Sequence, residues 1–129
     1  MRILIVDDHE AVREGVRAIL TRRNDIEVCG EAVNGQEAIE KSIELRPDLI
    51  ILDINMPILD GIKAAKEIKT RSPQVLILLF SMHQSNQLIR EVQLLGVQGF
   101  VSKGQAGAML LTAVDAVSSM KTFFPSRIG

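Results

Sequence analysis

With 129 residues, 47% of them apolar and 24% charged, the chain has the size and composition of one globular domain, not of a disordered segment. The 15 Lys and Arg against 16 Asp and Glu leave a net charge of −1 with no basic run, which excludes the electrostatic footprint of a nucleic-acid-binding module. The lone cysteine, Cys29, excludes an internal disulfide and reads as a buried core thiol in a reducing compartment.

In chain order, short β-branched runs alternate with longer stretches of helical period. The first run, Ile3 to Val6, leads into Asp7-Asp8, and Val12, Val16, Ile19 and Leu20 then form an apolar stripe on a helix over Glu10 to Arg22. A second strand spans Ile26 to Ala32. Asn34, with Glu37 three residues on, caps a second helix that buries Ala38, Ile39 and Ile43. The run Leu49 to Leu52 ends in Asp53, and Asp60 starts a third helix through Ile62, Ala65 and Ile68 that stops at Ser72-Pro73. Val75 to Phe80 is followed by Ser81. A fourth helix carries Leu88, Val92 and Leu95 and ends at Gly96. Gly99 to Ser102 runs into Lys103, and Met109, Leu110, Ala113, Val114 and Val117 mark a fifth helix.

Strand and helix alternating five times predict an α/β doubly wound parallel sheet, (βα)5, with helices on both faces. The runs are mostly continuously apolar, as strands covered on both faces require. In such a sheet the chemistry belongs at the carboxyl ends of the strands. Asp7, Asp8, Asp53, Ser81 and Lys103 all fall there. Clustered carboxylates repel one another and favour a hard cation such as Mg²⁺ or Mn²⁺. Asp53, ionised at neutral pH, is the candidate nucleophile toward phosphorus. Asp7 and Asp8 are candidate metal ligands with Asp53, and the main-chain carbonyl of Asn55 is a further one. Lys103 and Ser81 offer a cation and a hydroxyl to phosphoryl oxygens. Each residue alone has a plainer reading: Asp8 as a helix cap, Asp53 as a turn residue, Ser81 with Gln84 as a capping box, Lys103 as a solvated side chain. Those readings must hold independently, whereas one reaction accounts for all of them.

Together Asp7-Asp8, Asp53-Ile54-Asn55-Met56-Pro57, Asp60-Gly61, Ser81, Phe100 and Lys103 resemble the receiver domain of two-component response regulators, from Arg2 to about Met120. The resemblance implies the flavodoxin-like (CheY-like) strand order 2-1-3-4-5 and phosphotransfer from a sensor histidine kinase to Asp53 with Mg²⁺. It implies a switch through Ser81 and Phe100, homodimerisation on phosphorylation, and signalling in the cytoplasm rather than enzymatic turnover. Gly99-Phe100-Val101-Ser102-Lys103 and Thr122-Phe123-Phe124-Pro125 look similar to NarL/LuxR-type regulators. Residues 121–129, which lose helical period and hold two of the four Phe, either fold back on the domain or, as in those regulators, begin a linker to a helix-turn-helix domain, and DNA would be bound only through that domain. Two positions depart from the family pattern, Met82 after the hydroxyl and Gly104 after the lysine. Met82, Asn55 and His83 are expected to gate the water that removes the phosphoryl group.

Three rival readings are weaker on the residues. A flavodoxin-like electron carrier wants a phosphate loop where Asp7-Asp8 stand and aromatics for a flavin, and the chain has neither Trp nor Tyr. An aspartate-nucleophile phosphohydrolase places a general acid two residues after the nucleophile, where this chain has Asn55. A stand-alone docking domain would differ only in lacking further chain beyond Gly129. The longest apolar run, Val75 to Phe80, is too short to span a membrane.

Overall fold

The computed structural model describes residues 1–125. Its elements, in order, are β1 (Arg2–Val6), α1 (Glu10–Leu20), β2 (Glu27–Ala32), α2 (Gly35–Leu45), β3 (Leu49–Asp53), α3 (Gly61–Arg71), β4 (Leu76–Ser81), α4 (Asn86–Leu94), β5 (Gly99–Ser102) and α5 (Ala106–Ser118). All strand pairs are parallel and the order across the sheet is β2-β1-β3-β4-β5. The (βα)5 expectation and the strand order both hold.

Strand side chains alternate between faces, and that period divides the core. Leu4, Val6, Ile50, Leu52, Ile77, Leu79 and Phe100 pack with Ala38 and Ile39 of α2, Ala64, Ala65 and Ile68 of α3, and Val92 of α4. Their neighbours Ile3, Ile5, Leu49, Ile51, Leu78, Phe80 and Val101 pack on the opposite face with Val16 and Leu20 of α1 and Leu110, Ala113, Val114 and Val117 of α5. Continuous apolar runs are therefore the pattern of a sheet buried twice.

Several local expectations are corrected. Cys29 is only partly buried, because β2 is an edge strand and the β1–β2 register shifts there, pairing Ile3 with Val28 but Leu4 with Gly30. Ile43 is 49% exposed, and Ser42 is the buried residue of that turn of α2. The first helix ends at Leu20 rather than Arg22, with the Thr21 hydroxyl and amide both donating to the Arg17 carbonyl. Asn34 does cap α2, accepting from the Glu37 amide at 2.8 Å, but the Glu37 carboxylate pairs with Lys41 at 3.2 Å. Asp60 caps α3, accepting from the Lys63 amide.

After α5 the chain reverses at Met120, whose φ is 64°. Phe123 then forms a parallel bridge to Gly99, its amide donating to the Gln98 carbonyl at 3.0 Å and its carbonyl accepting from the Phe100 amide at 2.8 Å. The remaining part of the expected linker, 126–129, lies outside the described residues.

Candidate functional site

Register brings the polar residues together. Val6 pairs with Leu52, so Asp7 and Asp53 leave adjacent strands at one level; Asp53 pairs with Phe80, and Ser81 with Ser102 just before Lys103. Strong apolar pairing behind these residues forces them into a poorly solvated edge: Asp7 is 1% exposed, Asp53 3% and Ser81 1%. Lys103 sits on a short 3₁₀ turn, Lys103–Gln105. Its Nζ lies 2.7 Å from Asp7 Oδ2, 3.3 Å from Asp53 Oδ1 and 5.7 Å from the Phe80 ring centroid.

Burial pushes the Asp53 carboxyl above its ordinary range, and the neighbouring Asp7 charge adds to that; Lys103 and the Asn55 amide oppose it. Burial alone would lower Lys103, but its contacts with Asp7 and Asp53 outweigh that and raise it. The pair is thus a cation clamped between two desolvated carboxylates, not a surface ion pair.

Two oxygens of the acidic pair, Asp7 Oδ2 and Asp8 Oδ1, are buried with no partner beyond the ion-pair contacts of Lys103 and His9. Buried acceptors of that kind are costly unless a cation meets them. Lys103 Nζ reaches the first at 2.7 Å and His9 Nδ1 the second at 3.1 Å, and the clustered carboxylate oxygens of Asp7 and Asp8 are hard donors of the kind that suits a divalent ion. Asn55 is exposed two residues beyond Asp53. Met82 is 69% exposed, and His83 is exposed with its amide donating to Ser81 Oγ at 3.1 Å. Phe100 is 1% exposed in the core beneath α4.

The plainer readings of two residues fail. Ser85, not Ser81, caps α4, accepting from the Leu88 amide at 3.1 Å. The residue at the α1 cap is His9, not Asp8, and it caps with no side-chain bond. Ser81 Oγ instead accepts from the His83 amide, and Asp8 Oδ1 lies against His9 Nδ1.

Sequence reasoning passed over three residues. His9 donates its amide to Asp7 Oδ1 at 2.9 Å and places Nδ1 3.1 Å from Asp8 Oδ1. Arg13 donates to the Asp7 carbonyl at 2.8 Å and to Glu31 Oε1 at 2.8 Å, tying α1 and β2 to the loop that carries the acids. Arg17 completes the Glu31 pair at 2.5 Å; its guanidinium, ahead of an opposing desolvation effect, holds the Glu31 carboxyl below its usual range. The signals were available: His9 adjoins the pair, and Arg13 and Arg17 are one helical turn apart. Glycines close the other side. A Cβ on Gly61 would sit 2.0 Å from the Asp53 carbonyl, and one on Gly35 2.2 Å from the Leu59 carbonyl.

Residues 3–115 match the response regulator receiver domain family. The transcriptional regulatory protein LnrK of Bacillus subtilis is 34% identical over 128 residues, covering 99% of this chain and 58% of that protein. The response regulator protein VraR of Staphylococcus aureus is also 34% identical, with 99% of this chain and 61% of that protein covered. The chain thus spans roughly three-fifths of these relatives. Among solved structures, a LuxR-family two-component response regulator from Aurantimonas sp. SI85-9A1 superposes with a TM-score of 0.91 at 34% identity, over 95% of this chain and 87% of that one. With a family match across most of its length, the chain belongs to the response regulator receiver domains, and its relatives are regulators of the NarL/LuxR type.

Proposed function

We propose that Asp53 accepts a phosphoryl group from a phosphohistidine on a sensor histidine kinase. A carboxylate oxygen of Asp53 forms the new P–O bond as the P–N bond breaks, and the imidazole leaves with its electron pair and is reprotonated. Asp7, Asp8, Asp53 and the Asn55 carbonyl would hold Mg²⁺ or Mn²⁺, which when bound supplies charge neutralisation for the phosphoryl oxygens. Lys103 exchanges part of its pairing with Asp53 for a phosphoryl oxygen, and the Ser81 hydroxyl donates to another. Phe100, buried in the apolar core, would respond to the displacement of Ser81 as the switch aromatic. Acting as an acceptor rather than in turnover, the domain would work in the cytoplasm, with residues 1–120 as the receiver and 121–129 as the start of a linker. In the whole protein it would dimerise on phosphorylation and control a DNA-binding domain joined through that linker.

The observation that carries this reading is the Lys103 ammonium held between Asp7 and Asp53 at 2.7 and 3.3 Å, on a buried edge. Incubation with acetyl phosphate and Mg²⁺ should add the mass of one phosphoryl group to the intact protein. Loss of that gain without Mg²⁺ and in Asp53→Asn is expected; equal labelling of Asp53→Asn would refute the assignment.

A further inference from the structure

The segment after α5 makes contacts that a passive linker does not need. β5 is an edge strand of four residues, bonded to β4 on one side. Its other side is met by Phe123 through one bridge and two hydrogen bonds. The Phe100 amide therefore points away from β4 and finds its acceptor in the Phe123 carbonyl. Side chains reinforce the contact from both faces of the sheet. Phe123 packs with the cluster containing Val101 and Val114, and Phe124 with the cluster containing Phe100. Gly99 permits the approach, since a Cβ there would lie 3.1 Å from the Phe123 carbonyl and 2.6 Å from Leu78 Cδ1. Covering an exposed edge would by itself explain a bridge here. What it does not explain is the position of that edge relative to the site.

β5 passes directly into Lys103, whose Nζ spans Asp7 and Asp53, and its last residue pairs with Ser81. Both groups that a phosphoryl oxygen on Asp53 would recruit are thus attached to the ends of β4 and β5. A displacement of either is transmitted along a four-residue strand whose outer edge rests on one bridge. Elements held by so few backbone bonds are the first to open.

We propose that Lys121–Pro125 is a detachable segment bridged to the edge of β5 through Phe123, released when Asp53 carries a phosphoryl group, so that it reports the state of the site to the chain beyond it. This inference rests on the assignment of Asp53 as acceptor. Linkage makes the effect reciprocal: the undocked form must bind the phosphoryl mimic more tightly than the docked form by the same factor that loading weakens docking.

The test uses the full 129-residue chain, Mg²⁺ and beryllofluoride as the acyl-phosphate mimic. Loading is read from the fluorine resonances of the bound mimic, with Asp53→Asn as the control, and docking from amide exchange at Phe100 and Phe123. On loading, exchange at both amides should accelerate about 10-fold, within the usual range of coupling between sites, while Ile50 and Ile51 in β3 stay protected. Phe124→Ala should accelerate Phe100 exchange without any mimic and, as the segment undocks, tighten beryllofluoride binding by up to the factor by which loading accelerates that exchange in the wild type. Bound mimic with unchanged exchange at Phe100 overturns this inference alone. Absence of bound mimic overturns the acceptor assignment, and the inference falls with it.

Discussion

At the scale of single residues, the governing fact is that Asp53 ionises in a place that disfavours its charge. Because its folded pKa is raised by burial and by Asp7, the folded state holds the proton more tightly than the unfolded chain does. Ionised Asp53 therefore weakens the fold at neutral pH, and that penalty disappears as pH falls through the raised pKa toward the ordinary aspartate value of about 3.9. Asp53→Asn is expected to raise Tm at pH 7, with the advantage over wild type shrinking toward pH 4 (about the unperturbed pKa). A thermal melt of Asp53→Asn that shows no gain at pH 7 would mean Lys103 fully compensates the buried charge. Met82 is the residue to test for control of phosphoryl lifetime, as an exposed side chain immediately after the Ser81 hydroxyl. Met82→Ala should speed loss of the phosphoryl group from purified protein several-fold; an unchanged rate removes the gating role at that position.

At the scale of elements, the loops around the site are set by close backbone approach. Gly61 opens α3 against the Asp53 carbonyl and donates its amide to the Ile54 carbonyl at 2.8 Å. Gly61→Ala forces backbone against backbone and should cost about 1–3 kcal/mol in urea denaturation, with displacement of Asp53 and slower labelling. Gly15, within α1, is the contrasting case, with nothing within 4 Å of an added Cβ. There Gly15→Ala should stabilise by about 0.5–1 kcal/mol through helix propensity and leave labelling unchanged. Opposite signs for two glycines in helices would separate steric closure of the site from ordinary helix energetics. Capping obeys the same local logic: Asn34 and Asp60 were legible as caps because the side chain and the third amide beyond it lie close in sequence. Ser85 was missed because Ser81-x-x-Gln84 offered the same pattern one turn earlier, and only the extent of β4 decides between them.

At the scale of the whole molecule, one sheet serves two cores. Ile51 and Leu52, adjacent in β3 and both buried, belong to opposite faces. Ile51→Ala and Leu52→Ala should each cost about 2–5 kcal/mol. Both should unfold in a single cooperative transition, because neither face can lose its packing without the strands they share. Independent melting of one face in calorimetry would contradict that picture. Among the described residues no helix is long and apolar enough to cross a membrane, and the buried surface faces inward from both helical layers.

The alternation of apolar runs and amphipathic stretches was enough to determine a doubly wound (βα)5 sheet, because a strand buried on both faces and a helix buried on one leave different periods in the chain, whereas the strand order came only with the family resemblance. The acids, hydroxyl and ammonium were legible for the same reason: each ends a strand or follows it within two residues, and parallel strands end at one edge. Distances were not legible. That Lys103 lies between Asp7 and Asp53, that Arg13 braces the Asp7 carbonyl and that Phe123 docks on β5 are contacts between elements whose placement no local run encodes. They depend on strand register and on which strand lies at the edge, and no local pattern carries that information. The exposure of Cys29 and Ile43 was decided in the same way, by a register shift at the sheet edge and by the face α2 turns to its neighbours.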